Sequence, residues 1–420
     1  MFNRFLNKRI FLIGLSLFTV VSILSRCIND KAKDAKAPEV DYTSYAGTAT
    51  CKSCHQEVYE SHLQTMHHQT SAIATPKNVK GSTEDGKNTF FFQPDLFIKV
   101  EEKEKQLFQT AYQQGIEKIS RPFDFVVGSG KHGQTFLYWY DKYIFQLPLT
   151  YFTETGEWTN SPGYANKVQF NRPITSRCLE CHSTYFKKET HDDKKAETFS
   201  KSEVILGVEC EKCHGPAAEH VRYHQDNIGD RQPHHIINPS RLTRTQNLDM
   251  CRLCHGGSLT KTKPSFSFMP GDKLSEFFTL DSTQKEISDI DVHGNQFGML
   301  SASKCFTNSS MTCNTCHSPH KNEIGQAQIF ATKCLTCHNE NTHKQCRLVG
   351  EKDAAFLQQN CIDCHMPELP SKAIMVLKQG EAIPTSAHMR SHYITVYKDQ
   401  IKKILLNEQG IKNDRDTPAR

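Results

Sequence analysis

Gly207-Val208-Glu209-Cys210-Glu211-Lys212-Cys213-His214-Gly215-Pro216 is the stretch on which the reading of this chain turns. Two of its cysteines stand three apart, and a histidine follows the second at once. On a helical turn both thiols lie on one face. C-x-x-C-H is the attachment pattern of a c-type haem: the thiols add to the porphyrin's vinyl groups and the imidazole becomes the proximal iron ligand. The pattern occurs seven times, at Cys51-Cys54-His55, Cys178-Cys181-His182, Cys210-Cys213-His214, Cys251-Cys254-His255, Cys313-Cys316-His317, Cys334-Cys337-His338 and Cys361-Cys364-His365. With 17 cysteines and 21 histidines in 420 residues, chance supplies roughly 0.03 such matches. Zinc ribbons and redox dithiols also use C-x-x-C, but neither needs a histidine after every second cysteine. Seven covalently attached haem c groups are expected.

Residues 1–27 indicate where attachment takes place. Arg4, Lys8 and Arg9 precede an apolar run of fifteen residues, Ile10 to Leu24, which is the length of a signal-peptide core and short of the ~20 residues of a membrane span. Leu24-Ser25-Arg26-Cys27 resembles a bacterial lipobox, with Arg26 in place of the usual small residue. Lipidation of Cys27, an uncleaved N-terminal anchor and simple cleavage nearby all stay open. Residues 28–46 read as a solvated linker. The protein is expected to be exported, to the periplasm or anchored facing the periplasm or cell exterior. The formal charge of +5 falls to about −2 or −9 once seven haem groups with ionised propionates are counted, so no nucleic-acid partner is expected.

The motifs are unevenly spaced, one at 51–55 and six between 178 and 365. The expected fold is a mainly α and irregular multihaem cytochrome c fold wrapped around a haem stack, spanning 47–392. A small β-meander insertion is expected at about 86–160, where Thr135 to Tyr140 and Tyr143 to Leu147 flank a hairpin turn at Asp141-Lys142. Asp291 to Phe297 reads as a loop, and residues 393–420 as a C-terminal surface helix, from Tyr393 to Leu406, and a frayed tail. Cys305 and Cys346 lie outside the motifs and suggest a disulfide bracketing the fifth and sixth, with two free thiols as the alternative.

Twenty-one histidines less seven proximal ones leave fourteen, enough for bis-histidine ligation of every iron and hence mostly low-potential centres. His220 and His224 share a helical face, so at most one of them is expected to ligate. The same holds for His67 and His68, which point apart. His191, in a charged stretch, reads as exposed.

The segment Gly207 to Pro216, running on to His220, resembles the multihaem cytochrome c superfamily that includes the tetrahaem cytochrome c-554 of ammonia oxidisers. So do Gly128-Ser129-Gly130, Ser161-Pro162-Gly163-Tyr164, Arg172-Pro173-Ile174, Asp291 to Asn295 and Met311 through His320. The resemblance implies haem groups packed in pairs as a wire, with distal histidines supplied by other segments. On this basis His67, His220, His293, His320, His343 and His392 are the distal candidates, with His132 as a seventh. It implies an electron-transfer protein exchanging electrons with redox partner proteins of the cell envelope. The alternative is a reductase or oxidase of a small nitrogen or sulfur compound, with one five-coordinate haem and His132, Lys131 or His235 over it. A third reading is a haem subunit of a larger complex.

Overall fold

The computed structural model describes residues 41–164, 166–190, 195–280, 286–339, 341 and 346–415. The export segment with Cys27, the linker as far as residue 40, His191, His343 and the last five residues of the tail lie outside them. Among the described residues no helix is long and apolar enough to cross a membrane.

The expectation of a mainly helical fold is wrong: among the described residues 31% are helical and 26% are strand. The physical reason lies between the first and second motifs. Residues 71–173 carry no C-x-x-C-H, and they build a protein core of their own. A four-stranded meander joins Thr89–Gln93, Leu96–Lys103, Gln106–Gln113 and Ile116–Pro122. Its tight turns place Glu104, Lys105 and Gln114 at positive φ, the backbone twist that two-residue hairpins require. Beside it a seven-stranded sheet runs Ser71–Ile73, Phe125–Val127, Gly133–Tyr140, Tyr143–Gln146 and Arg172–Pro173, with Leu149–Phe152 and Glu157–Asn160 branching from Gly133–Tyr140. The Asp141-Lys142 turn joins Tyr140 to Tyr143 in register.

The alternation of strand side chains gives this sheet two different faces. Phe136 and Tyr138 pack toward the meander, with Phe90, Ile98, Phe123 and Trp158. Leu137 and Ile144 face the other way, onto Leu179, Tyr185, Phe186 and Phe199 beside the second motif. Buried Gln109 joins the two sheets: its amide donates to Leu149 O at 2.8 Å and accepts from Leu149 N at 2.8 Å. The β region is thus a bracket between a conventional core and the motif-bearing body.

That body is made of short helices, several ending at a motif histidine: Ser176–His182, Cys210–His214, Arg244–His255 and Ala354–His365. The first motif lies inside Thr48–His62, which kinks at His55. Arg244–His255 opens on a Thr243–Gln246 capping box. Asn295 caps a short helix, Gln296–Ser301, which starts at the end of the region read as a loop, and the C-terminal helix begins at Lys398 rather than Tyr393. The expected Cys305–Cys346 disulfide is absent, and both are free thiols. They face different neighbours, Cys305 the cysteines of the fifth and sixth motifs and Cys346 those of the seventh.

The start of the second-motif helix hangs on Glu197. Its carboxylate accepts from Ser176 N and from Ser176 Oγ at 2.9 Å, and pairs with Lys188 at 3.0 Å. Burial opposes its ionisation, but these partners outweigh burial and hold its pKa below 4.5. A depressed carboxyl pKa stabilises the fold above the ordinary value, and that contribution vanishes as pH falls through the folded value. Thermal melts should therefore show Glu197→Gln less stable than wild type at pH 7, with the gap closing as the pH falls below the ordinary carboxyl range. Phe136, fully buried between Phe123 and Trp158, gives a second test. Phe136→Ala should cost about 3–5 kcal/mol in urea unfolding followed by circular dichroism, with iron content unchanged because this core holds no motif.

Candidate functional site

A neutral imidazole binds a metal through its unprotonated nitrogen, and the hydrogen bond made by the other nitrogen decides which one that is. The structure sets this for several candidates. Nδ1 faces a backbone carbonyl in His214 (Ile237 O, 3.0 Å), His220 (His234 O, 2.7 Å), His365 (Thr395 O, 2.8 Å) and His392 (Arg390 O, 3.2 Å). A carbonyl only accepts, so Nδ1 carries the proton and Nε2 is left with a lone pair. His255 Nδ1 meets Gln296 Oε1 at 3.1 Å, and His317 Nδ1 stands 3.4 Å from Glu323 Oε2. His182 differs, its Nδ1 buried without a hydrogen-bond partner.

The folded chain then brings these rings together in pairs. Motif residue His214 lies against His320 with ring centres 6.1 Å apart, His255 against His67 at 6.3 Å, and His317 against His392 at 6.1 Å. Two imidazoles bound on opposite sides of one metal at about 2.0–2.1 Å place their ring centres ~6.2 Å apart. The donor set therefore fits bis-histidine haem. Burial, then the neighbouring imidazoles of His293 and His255, pushes His182 down to about 4. Burial and His255 bring His67 to about 4, and burial and His317 do the same for His392. All three are neutral near pH 7, as ligands must be.

Other candidates sit differently. His132 stands 3.5 Å from Glu154, a carboxylate it shares with His388, and lies close enough to His293 to lower that residue's pKa after burial. His220 neighbours His224, with ring centres 4.6 Å apart, and His235 faces Glu219 at 3.6 Å. His343 lies outside the described residues.

The thiols show which motifs adjoin. The thiols of Cys51 and Cys210, of Cys181 and Cys254, and of Cys251 and Cys313 lie close enough to shift one another's ionisation. Cys213 also bears on Cys251, and Cys334 on Cys316 and Cys361. In space the attachment sites run first, third, fourth, fifth, sixth, seventh, with the second beside the fourth.

Sequence reasoning passed over the acids that hold these motifs in place. Glu211, between the third pair of cysteines, accepts from Ala46 N (2.8 Å), Gly47 N (3.0 Å) and Ala217 N (2.8 Å). Glu180, inside the second pair, accepts from Phe266 N at 2.8 Å. Asp249 accepts from Leu274 N at 3.1 Å and pairs with Arg252. Asp291 accepts from His293 N, Lys372 N and Ala373 N at 2.6–2.7 Å, which fixes the loop bearing His293. The one signal available was an acid inside or beside C-x-x-C, which reads equally well as solvated surface.

Residues 153–215 match the family model of cytochrome c554 and c-prime. No curated protein matches the chain. Its fold is similar to the crystal structure of the outer cell wall cytochrome OcwA, at 15% identity and a TM-score of 0.52, covering 86% of this chain and 81% of that one. The paired imidazoles, the c554-type segment and the shared fold point the same way: the chain is similar to multihaem c-type cytochromes, through residues 153–215 in sequence and through its fold.

Proposed function

We propose that this chain carries seven covalent haem c groups, one at each C-x-x-C-H motif, and relays electrons between redox partner proteins of the bacterial cell envelope. The observation that carries the reading is the pairing of three motif histidines with three non-motif histidines at 6.1–6.3 Å. An iron held between the two histidines of such a pair would have no room for a substrate, which suits electron transfer better than catalysis at those sites. The axial pairs proposed are His255 with His67, His214 with His320, His317 with His392, and His182 with His293. His220, His132 and His343 are the candidates opposite His55, His338 and His365. Haem c supplies the one-electron iron couple. The polypeptide sets its surroundings: carbonyls that hold each ligand's tautomer, burial that keeps imidazoles neutral, and acids that fix the motifs.

The order of the attachment sites supports an extended relay with a branch where the second site meets the fourth. Export is read from residues 1–27, with anchoring through Cys27 or the apolar segment. The outer cell wall origin of the structurally similar cytochrome OcwA supports an envelope location.

Carbon monoxide added to the dithionite-reduced protein tests the ligation. The wild-type Soret band should not shift. His320→Ala, His67→Ala and His392→Ala should each open one iron and shift about one seventh of the amplitude. Variants that bind no carbon monoxide would remove the proposed pairs. A one-seventh shift in the wild type would instead mean an open iron and favour the reductase reading. The intact mass should exceed that of the polypeptide by seven haem groups, and a smaller excess would lower the count.

A further inference from the structure

Beside the paired histidines lies a second cluster that none of them uses. His62 Nε2, His68 Nδ1 and a Glu209 carboxylate oxygen lie within 4.8 Å of one another. His62 and Glu209 are buried, with side chains 7% exposed, and His68 is 34% exposed. Three segments supply the ligand atoms: the end of Thr48–His62, the turn before Ser71, and the residue preceding the third motif.

The hydrogen bonds around the cluster leave a gap in its middle. Thr65 Oγ1 donates its only proton to His62 O at 2.7 Å and accepts from His68 N at 3.2 Å. It faces His62 Nδ1 at 3.5 Å, where it can only accept, a contact that suits the tautomer with the proton on Nδ1. In that tautomer His62 Nε2 points a lone pair at Glu209 Oε2, 3.4 Å away. Both atoms are buried and neither has a hydrogen-bond partner. Two acceptors meeting in a buried place call for a cation between them.

The cradle is rigid. Glu209 N donates to Thr184 Oγ1 at 2.8 Å, and Val208 N to His67 O at 2.9 Å. Gly207 has φ +71°, and a Cβ there would stand 2.6 Å from His68 O and 2.7 Å from Glu209 Oε1. Only glycine lets the two strands of chain pass this closely.

We propose that His62, His68 and Glu209 bind one divalent first-row transition-metal ion of the zinc class, separate from every haem iron. Two imidazoles and one carboxylate are ligands of that class. Ligand atoms around a tetrahedral ion at about 2.0–2.1 Å stand ~3.4 Å apart, which is the His62–Glu209 separation. His68 Nδ1 now stands 2.7 Å from Glu209 Oε1 and donates to it. Binding replaces that proton with the metal and releases it to solvent. The partly exposed His68 side is where water completes the coordination. None of the three residues is assigned to haem iron, so the proposal holds whatever the haem count.

The test uses the purified holoprotein, stripped of loose metal and titrated with zinc sulfate, with zinc and iron counted together by mass spectrometry. One tightly held zinc per chain is expected in the wild type. Glu209→Gln and His62→Gln should weaken it at least ~100-fold with iron content unchanged. No stoichiometric zinc in the wild type, or undiminished zinc in both variants, overturns the site. Should the variants fail to fold, zinc-edge X-ray absorption on the wild type decides. Two imidazole nitrogens with carboxylate oxygen at about 2.0–2.2 Å support the site, and sulfur ligation or none overturns it.

Discussion

An imidazole ligates iron only through a nitrogen free of its proton, and in a buried place that state must be imposed by the surrounding chain. Here backbone carbonyls of Ile237, His234, Thr395 and Arg390 take the Nδ1 protons of His214, His220, His365 and His392. Each carbonyl belongs to a segment that must run past its histidine at hydrogen-bond distance. Much of the irregular backbone between helices is explained by this requirement. The segment 234–237 has no regular pairing, and its carbonyls at His234 and Ile237 are aimed at rings instead.

The same constraint explains the buried acids. A motif is four or five residues of helix and cannot fix its own orientation. Glu211, Glu180 and Asp249 each sit in or beside a C-x-x-C and collect backbone N–H groups from remote segments. A carboxylate holding a remote backbone N–H is a strong, directional anchor, and Glu211 holds three of them. Because the anchors lie within the motifs, the thiols and the histidine are positioned together with them.

The sheet region answers a different need. Porphyrins can serve as core only where motifs are dense, and residues 71–173 have none. There the chain buries Phe90, Phe123, Phe136 and Trp158 against one another. It turns the opposite sheet face, with Leu137 and Ile144, toward the second motif. The hairpin at Asp141-Lys142 was legible because its alternation and turn are local. The extent of strand elsewhere was not, because Arg172–Pro173 and Thr260–Lys261 are strands only through partners well separated in the chain. Counting motifs therefore overstated helix.

The sequence by itself determined the attachment chemistry, since two thiols and an imidazole at fixed spacing within one turn are a local fact. It also supplied a pool of histidines from which distal ligands could be drawn. Which of them meets which motif was decided only by tertiary structure. His67 reaches His255, and His392 reaches His317, across long stretches of chain. His68, one residue on from His67, turns instead to Glu209. Neighbours on a helical turn point apart, and the partner each one finds depends on a segment that no local pattern specifies.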